Sequence, residues 1–276
     1  MQAKFMKQFA IALALAGIAC AAQAHRPWML PTSTFIETER EAWVTIDGAV
    51  SEGLFNVDHM PLRMDGLTVT DPDGQTSLAP AATVGKFRSS VDLKLPKDGT
   101  YRVTLAATNV MGSYKLNGEM KRFRATARNA DKEVPAGATD VKRTTVVQRQ
   151  DTFVTLNKPS TGALKPLNTG LELVPVTHPT ELRAGEKATF RFQLDGKPLA
   201  NFPFSLVPGG VKYRGTINEV RLSTDARGEV TFTLPAPNMY WLSAAWPANA
   251  PKGPGADGPA DAKRYSYSAT LEILPE

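Results

Sequence analysis

Thr189-Phe190-Arg191-Phe192-Gln193-Leu194, closed by Asp195-Gly196, decides the fold class. Apolar side chains fall on every second residue. A strand here turns Phe190, Phe192 and Leu194 to one face and Thr189, Arg191 and Gln193 to the other. The same period recurs in Tyr101, Val103 and Leu105, in Val230, Phe232 and Leu234, and in Tyr265, Tyr267, Ala269, Leu271 and Ile273. Turn residues separate these runs: Asp71-Pro72-Asp73-Gly74, Lys97-Asp98-Gly99, Pro208-Gly209-Gly210 and Asp225-Ala226-Arg227-Gly228. Helical periodicity is nearly absent. Short strands at this spacing predict an all-β protein of β-sandwiches. Phe190, Phe192, Phe204, Val230, Phe232 and Leu234 are its expected second core.

Two domains are expected, at 25–165 and 170–276. Between them Asn157-Lys158-Pro159-Ser160-Thr161-Gly162 interrupts the strand pattern, and Leu171-Glu172-Leu173-Val174-Pro175 restarts it. The second unit has about a hundred residues, the size of one immunoglobulin-like sandwich. Pro247 to Pro259 is rich in Pro, Gly and Ala and reads as a loop between the last two strands.

The first 24 residues have a basic start (Lys4, Lys7), an apolar stretch from Phe9 to Ala19, and Ala22-Gln23-Ala24. That is the pattern of a secretory signal peptide with its cleavage site, so the protein is expected in the periplasm with His25 as its first mature residue. The rival reading is lipid attachment at Cys20, but Gly17-Ile18-Ala19 lacks the usual leucine before it. No later segment approaches the ~20 apolar residues of a membrane span. Cys20 is the only cysteine, so the mature chain has no thiolate chemistry and no disulfide. The formal charge is +5, of which Lys4 and Lys7 supply two. The remaining +3 is mild, and export argues against a nucleic-acid partner. The basic residues from Lys86 to Arg149, Arg149 included, read as solvated strand faces.

Three histidines frame the possible chemistry. After cleavage, His25 offers its α-amine and its imidazole, a chelating pair, and His59 offers a third nitrogen. Three nitrogens suit copper(II) or nickel(II). Asp58 and Glu52 can add oxygen, and Met29, Met60 and Met64 can add sulfur or simply fill core. The candidate metal ligands are therefore His25, His59 and Asp58. His178 precedes Pro179 and reads as structural.

His25-Arg26-Pro27-Trp28, Asp58-His59 with Pro61-Leu62 and Gly66-Leu67, and Pro72-Asp73-Gly74 carry a family resemblance. So do Leu171–Pro175, Ala184-Gly185-Glu186, Asp195–Leu199, Val207–Gly210 and Thr224–Val230. Together they resemble a periplasmic family associated with nickel and cobalt uptake, long catalogued as a domain of unknown function. The resemblance implies a β-sandwich protein without established catalytic residues, acting beside a membrane metal-uptake system, with nickel, cobalt or another transition metal as its ion. Arg26 stands where many members carry an acid, which removes a carboxylate ligand from this segment.

No G-x-S-x-G elbow, H-E-x-x-H pair or phosphate-cradling loop is present. The expectation is a non-catalytic metal-binding or uptake-accessory protein. Two alternatives stand beside it. One is a copper oxidase with an N-terminal histidine brace, resembling polysaccharide monooxygenases. The other is a metal-free carbohydrate- or protein-binding sandwich.

Overall fold

The computed structural model describes residues 25–248 and 261–276. The expected signal peptide, with Cys20 and the cleavage site, lies outside the described residues, as does most of the loop expected from Pro247 to Pro259. The first half supplies β1 (Arg26–Pro31), β2 (Phe35–Ile36), β3 (Ala42–Ser51), β4 (Met60–Pro61), β5 (Thr68–Thr70) and β6 (Thr76–Leu78). It continues through β7 (Thr83–Val84), β8 (Ser89–Leu95), β9 (Gly99–Leu116), β10 (Glu119–Thr126) and β11 (Thr139–Leu156). The second half contains β12 (Leu171–Pro175), β13 (Lys187–Leu194), β14 (Lys197–Pro198), β15 (Pro203–Pro208) and the single turn of helix α1 (Val211–Arg214). It ends with β16 (Val220–Ser223), β17 (Glu229–Thr233), β18 (Asn238–Trp246) and β19 (Asp261–Ile273).

These strands form three sheets. A ten-stranded sheet runs β16-β15-β18-β19-β11-β9-β5-β6, with β10 on β9 and β2 on β11. A five-stranded sheet is built on β1-β3-β8-β7 with β4, and a four-stranded sheet on β12-β13-β14 with β17. Neighbours are antiparallel except along β11, which pairs in parallel with β19 (Arg143↔Asp261 to Thr152↔Thr270) and with β2. That parallel seam joins strands from the two halves of the chain into one sheet.

Side-chain alternation then dictates the layers. On β9 and β11, Tyr101, Val103, Leu105, Val154 and Leu156 share one face and pack with Val44, Ile46, Val91 and Leu93 of the five-stranded sheet. The opposite face presents Phe153, Tyr265, Tyr267, Ala269 and Leu271 to Phe190, Phe192 and Phe232 of the four-stranded sheet. The fold is all-β, with two sandwiches sharing the large sheet as their common layer. The second is immunoglobulin-like in its layers, β12, β13, β14 and β17 facing β15, β16, β18 and β19.

All six residues expected in the second core are buried there. Phe192 sits 4.8 Å from Phe204 and 5.5 Å from Phe202, ring centre to ring centre, and Phe190 meets Phe232 edge-on at 5.6 Å. Each such side chain contributes about 1.5–3 kcal/mol through burial.

One sequence expectation is corrected. Arg149 does not lie on a solvated face: it is 7% exposed, in the middle of the shared sheet. Arg102 and Thr104, on the polar phase of β9, are buried as well. A central strand covered by a sheet on each side has no wet face for its polar residues to occupy.

Candidate functional site

β3 carries β1 on one side (Arg26↔Ser51, Trp28↔Ala49) and β4 on the other (Val50↔Met60). Continuing each register by one residue places His25 beside Glu52 and His59 beside Ser51, flanking the end of β3. The two imidazoles, thirty-four residues apart in sequence, stack with centroids 3.9 Å apart and planes 7° from parallel. His25 Nε2 lies 3.6 Å from Glu52 Oε1, and both side chains are largely open to solvent.

The backbone under this pair is held by fixed contacts. Trp28 Nε1 donates to Ser51 Oγ at 2.7 Å, and Ser51 Oγ donates to Gly53 O at 2.7 Å. Arg26 Nη1 donates to Glu52 O at 3.2 Å. Trp28 is buried with Ala49, Leu54 and Val207, and Phe55 meets its ring edge-on at 5.7 Å. Trp241 Nε1 donates to Pro27 O at 3.0 Å, so the second half of the chain buttresses β1. A Cβ added at Gly53 would come within 2.8 Å of Asn56 Nδ2, so the Asn56 amide would have to swing aside.

Of the candidate ligands, the structure brings His25 and His59 together. Asp58 turns toward the backbone, its Oδ2 3.4 Å from Gly53 N, and Glu52 is the carboxylate beside His25. Met29 and Met64 are buried in the first core, while Met60 is exposed on β4. Among the described residues, no three His, Cys, Asp or Glu side chains are grouped to hold a metal ion. The donors present suit a borderline transition metal, but their orientation does not yet do so. An imidazole binds a metal in the plane of its ring, with nitrogen ~2.0–2.1 Å from the ion. Two stacked, nearly parallel rings aim at no common point, so sharing an ion requires one ring to rotate out of the stack. Their exposure permits that.

His178 is structural in its contacts. Its Nε2 is 3.0 Å from Thr100 Oγ1 and 3.1 Å from Ser160 O, and its Nδ1 is 3.1 Å from Thr180 Oγ1. Thr155 bridges Thr100 and Thr180 at 2.9 and 2.7 Å, closing a hydroxyl network around the ring.

A second polar cluster went unread in the sequence. Between β11 and the four-stranded sheet, Arg149 Nε donates to Asp151 Oδ2 at 3.0 Å and Nη1 to Glu172 Oε2 at 3.5 Å. Tyr267 and Thr104 donate their hydroxyls to Asp151 at 2.9 and 2.6 Å. Glu172 also accepts from Asn168 N, Leu167 N and Gln193 Nε2. Burial opposes the charge on Arg149, but Asp151 and its neighbours more than offset this and raise its pKa. Burial, then the charge of Asp151, pushes the Tyr267 phenol well up. The sequence signal was a charge two residues from another, Arg149-x-Asp151, inside a long strand that ends in Phe153-Val154-Thr155-Leu156.

A family model described as a domain of unknown function (DUF4198) matches residues 22–248. The chain belongs to that family. No curated protein matches it. Among solved structures it is similar to the D0-D1 domain of intimin, at 13% identity over 90% of this chain and 97% of that one, TM-score 0.22. It is also similar to Escherichia coli alpha-2-macroglobulin activated by porcine elastase, at 13% identity over 92% and 20%, TM-score 0.23. A third similarity is to the D1-D4 ectodomain fragment of ICAM-5, at 13% identity over 91% and 51%, TM-score 0.21. No helix among the described residues is long and apolar enough to cross a membrane.

Proposed function

We propose that this DUF4198 protein is an exported, non-catalytic transition-metal-binding protein that serves a membrane uptake system, with nickel or cobalt as its cargo. The observation that supports this is the meeting of His25 and His59, brought from two distant segments to the end of β3. Signal cleavage before His25 would add the α-amine as a third nitrogen. Glu52 rather than Asp58 is then the nearest oxygen donor. An exposed pair on a rigid strand end suits an ion that must be taken up and released, because ligand exchange needs solvent access and little reorganisation.

The test is metal titration of protein beginning at His25, using nickel(II), cobalt(II) and copper(II) separately. An added N-terminal glycine converts the His25 amine to an amide and should weaken binding at least tenfold. His59→Ala should weaken it to a similar degree, and His178→Ala should leave it unchanged. Affinity should fall as pH is lowered, because protons compete for the same nitrogens. Failure of all three ions to bind, or equal binding by all variants, rejects the reading. Copper(II) bound with peroxide-dependent oxidation of a polysaccharide would replace it with the copper-oxidase alternative.

A further inference from the structure

β9 and β11 run on past the two main cores and form an arm with the edge strand β10, flanked on the β11 side by the first residues of β19 (Arg143↔Asp261 to Val146↔Arg264). Its own small core is Val110, Phe123 and Ala130. Ala130 belongs to the 3-10 turn Ala130–Glu133, which covers the Phe123 face of the arm. The registers Arg124↔Met111, Arg122↔Ser113, Met120↔Lys115 and Ser113↔Lys142 put all these residues on the opposite face. That face therefore shows Arg122, Arg124, Lys142 and Lys115, interleaved with Met111 and Met120.

Charge on the molecule is concentrated here. Residues 109–146 hold eight basic and four acidic side chains, whereas the rest of residues 25–276 holds one more acid than bases. Two of the four acids pair on the Phe123 face. Asp131, on the 3-10 turn, pairs with Arg143 at 3.0 Å, and Glu119 lies 4.0 Å from Lys121, both on the Phe123 face. On the cationic face Asp140 pairs with Lys115 at 2.7 Å. The Arg122 and Arg124 side chains are exposed and make no hydrogen bond or ion pair among the described residues. Met120, 57% exposed, stands between them and Lys115.

We infer that this face of the β9–β10–β11 arm docks on an anionic phospholipid surface. Cations spaced along two neighbouring strands, at Arg122 and Arg124 on β10 and Lys115 on β9, match the repeated phosphates of a bilayer surface. Arginine stems can lie along apolar groups while their heads reach phosphate, and exposed methionine beside them adds apolar contact at the headgroup boundary. The inference does not depend on the histidine pair.

Each basic side chain near an anionic bilayer raises the binding constant roughly fivefold. Replacing Arg122, Arg124 and Lys142 together by glutamine should thus weaken binding about a hundredfold. The assay is co-sedimentation of protein beginning at His25 with phosphatidylcholine vesicles containing or lacking phosphatidylglycerol. Supporting results are binding only to the anionic vesicles, its loss at high salt, and its loss in the triple variant. A second triple variant, Lys86→Gln with Lys187→Gln and Lys212→Gln, removes as much charge from elsewhere on the surface and should bind like the native protein. The inference is overturned if the native protein ignores phosphatidylglycerol, or if the two triple variants lose binding equally. Tighter binding to poly-glutamate than to the anionic vesicles would overturn it in favour of an acidic protein partner.

Discussion

The His25–His59 pair and the Arg149–Asp151–Glu172 cluster are both polar groups brought together by strand register, yet their surroundings are opposite. The histidines stack at a strand end in water, with one loose contact to Glu52 at 3.6 Å. The ionic cluster lies between two sheets, with Asp151 and Glu172 about as buried as the phenylalanines beside them. An exposed pair gains little from its contacts and can rearrange at little cost. A buried one has given up hydration and depends on every partner that replaces it. The first is free to rearrange, and the second holds two layers in one relation.

Removing one partner is the sharpest way to break that contrast. Asp151→Ala takes the closer carboxylate from the buried Arg149 guanidinium, leaving only the longer contact to Glu172 at 3.5 Å, and should cost about 3 kcal/mol in urea unfolding. It also strips the hydroxyls of Tyr267 and Thr104 of their acceptor. His25→Ala in the same assay should stay within about 0.5 kcal/mol. A small loss at Asp151 would show that water reaches the cluster and that the two sites differ less than their burial indicates.

Much of the fold could be read directly. Phe190, Phe192 and Phe232 announced their strands because β13 and β17 form an outer layer, with one face on the core and one in water. The reading failed where strands lie in the middle layer. Arg102, Thr104, Ser268 and Thr270 occupy the phase that alternation assigns to solvent, but a second sheet covers them. Alternation reports that two faces differ; it cannot report that both are covered. The histidine site was legible in residue type only. His25 is a candidate through its expected amine–imidazole pair and His59 as a third nitrogen, but their meeting depends on β1 and β4 flanking β3, which no local pattern encodes. Residue type offers Asp58 and Glu52 alike as oxygen donors, whereas the Asp58 carboxylate serves the Gly53 backbone.

An apolar counterpart sharpens the comparison. Phe232→Ala should cost about 3 kcal/mol, at the lower end for a buried phenylalanine because the ring keeps slight exposure. It removes the edge contacts with Phe190 and Phe204. Arg191→Ala, on the opposite phase of β13, loses a half-exposed pair with Glu229 and should cost under about 1 kcal/mol. If the two substitutions unfold at similar urea concentrations, the second core is not packed as the strand phase requires.

The smallest expected effect lies between the two extremes, at an exposed carboxylate satisfied by backbone. Asp225 Oδ1 accepts from Glu229 N at 2.9 Å and from Arg227 N at 2.8 Å, closing the turn before β17. The Glu229 N–H first, then the Arg227 backbone and side chain, hold its pKa below the usual value despite some desolvation. A carboxylate with a depressed folded pKa adds stability that is complete above its unfolded value, about 3.9, and is lost as pH falls through the folded one. Asp225→Asn keeps an acceptor oxygen but not the charge. The native protein should therefore be slightly more stable than this variant at neutral pH, and the gap in urea midpoint should close on acidification below about pH 4. A gap that stays constant across that range would mean the turn depends on the shape of the side chain and not on its charge.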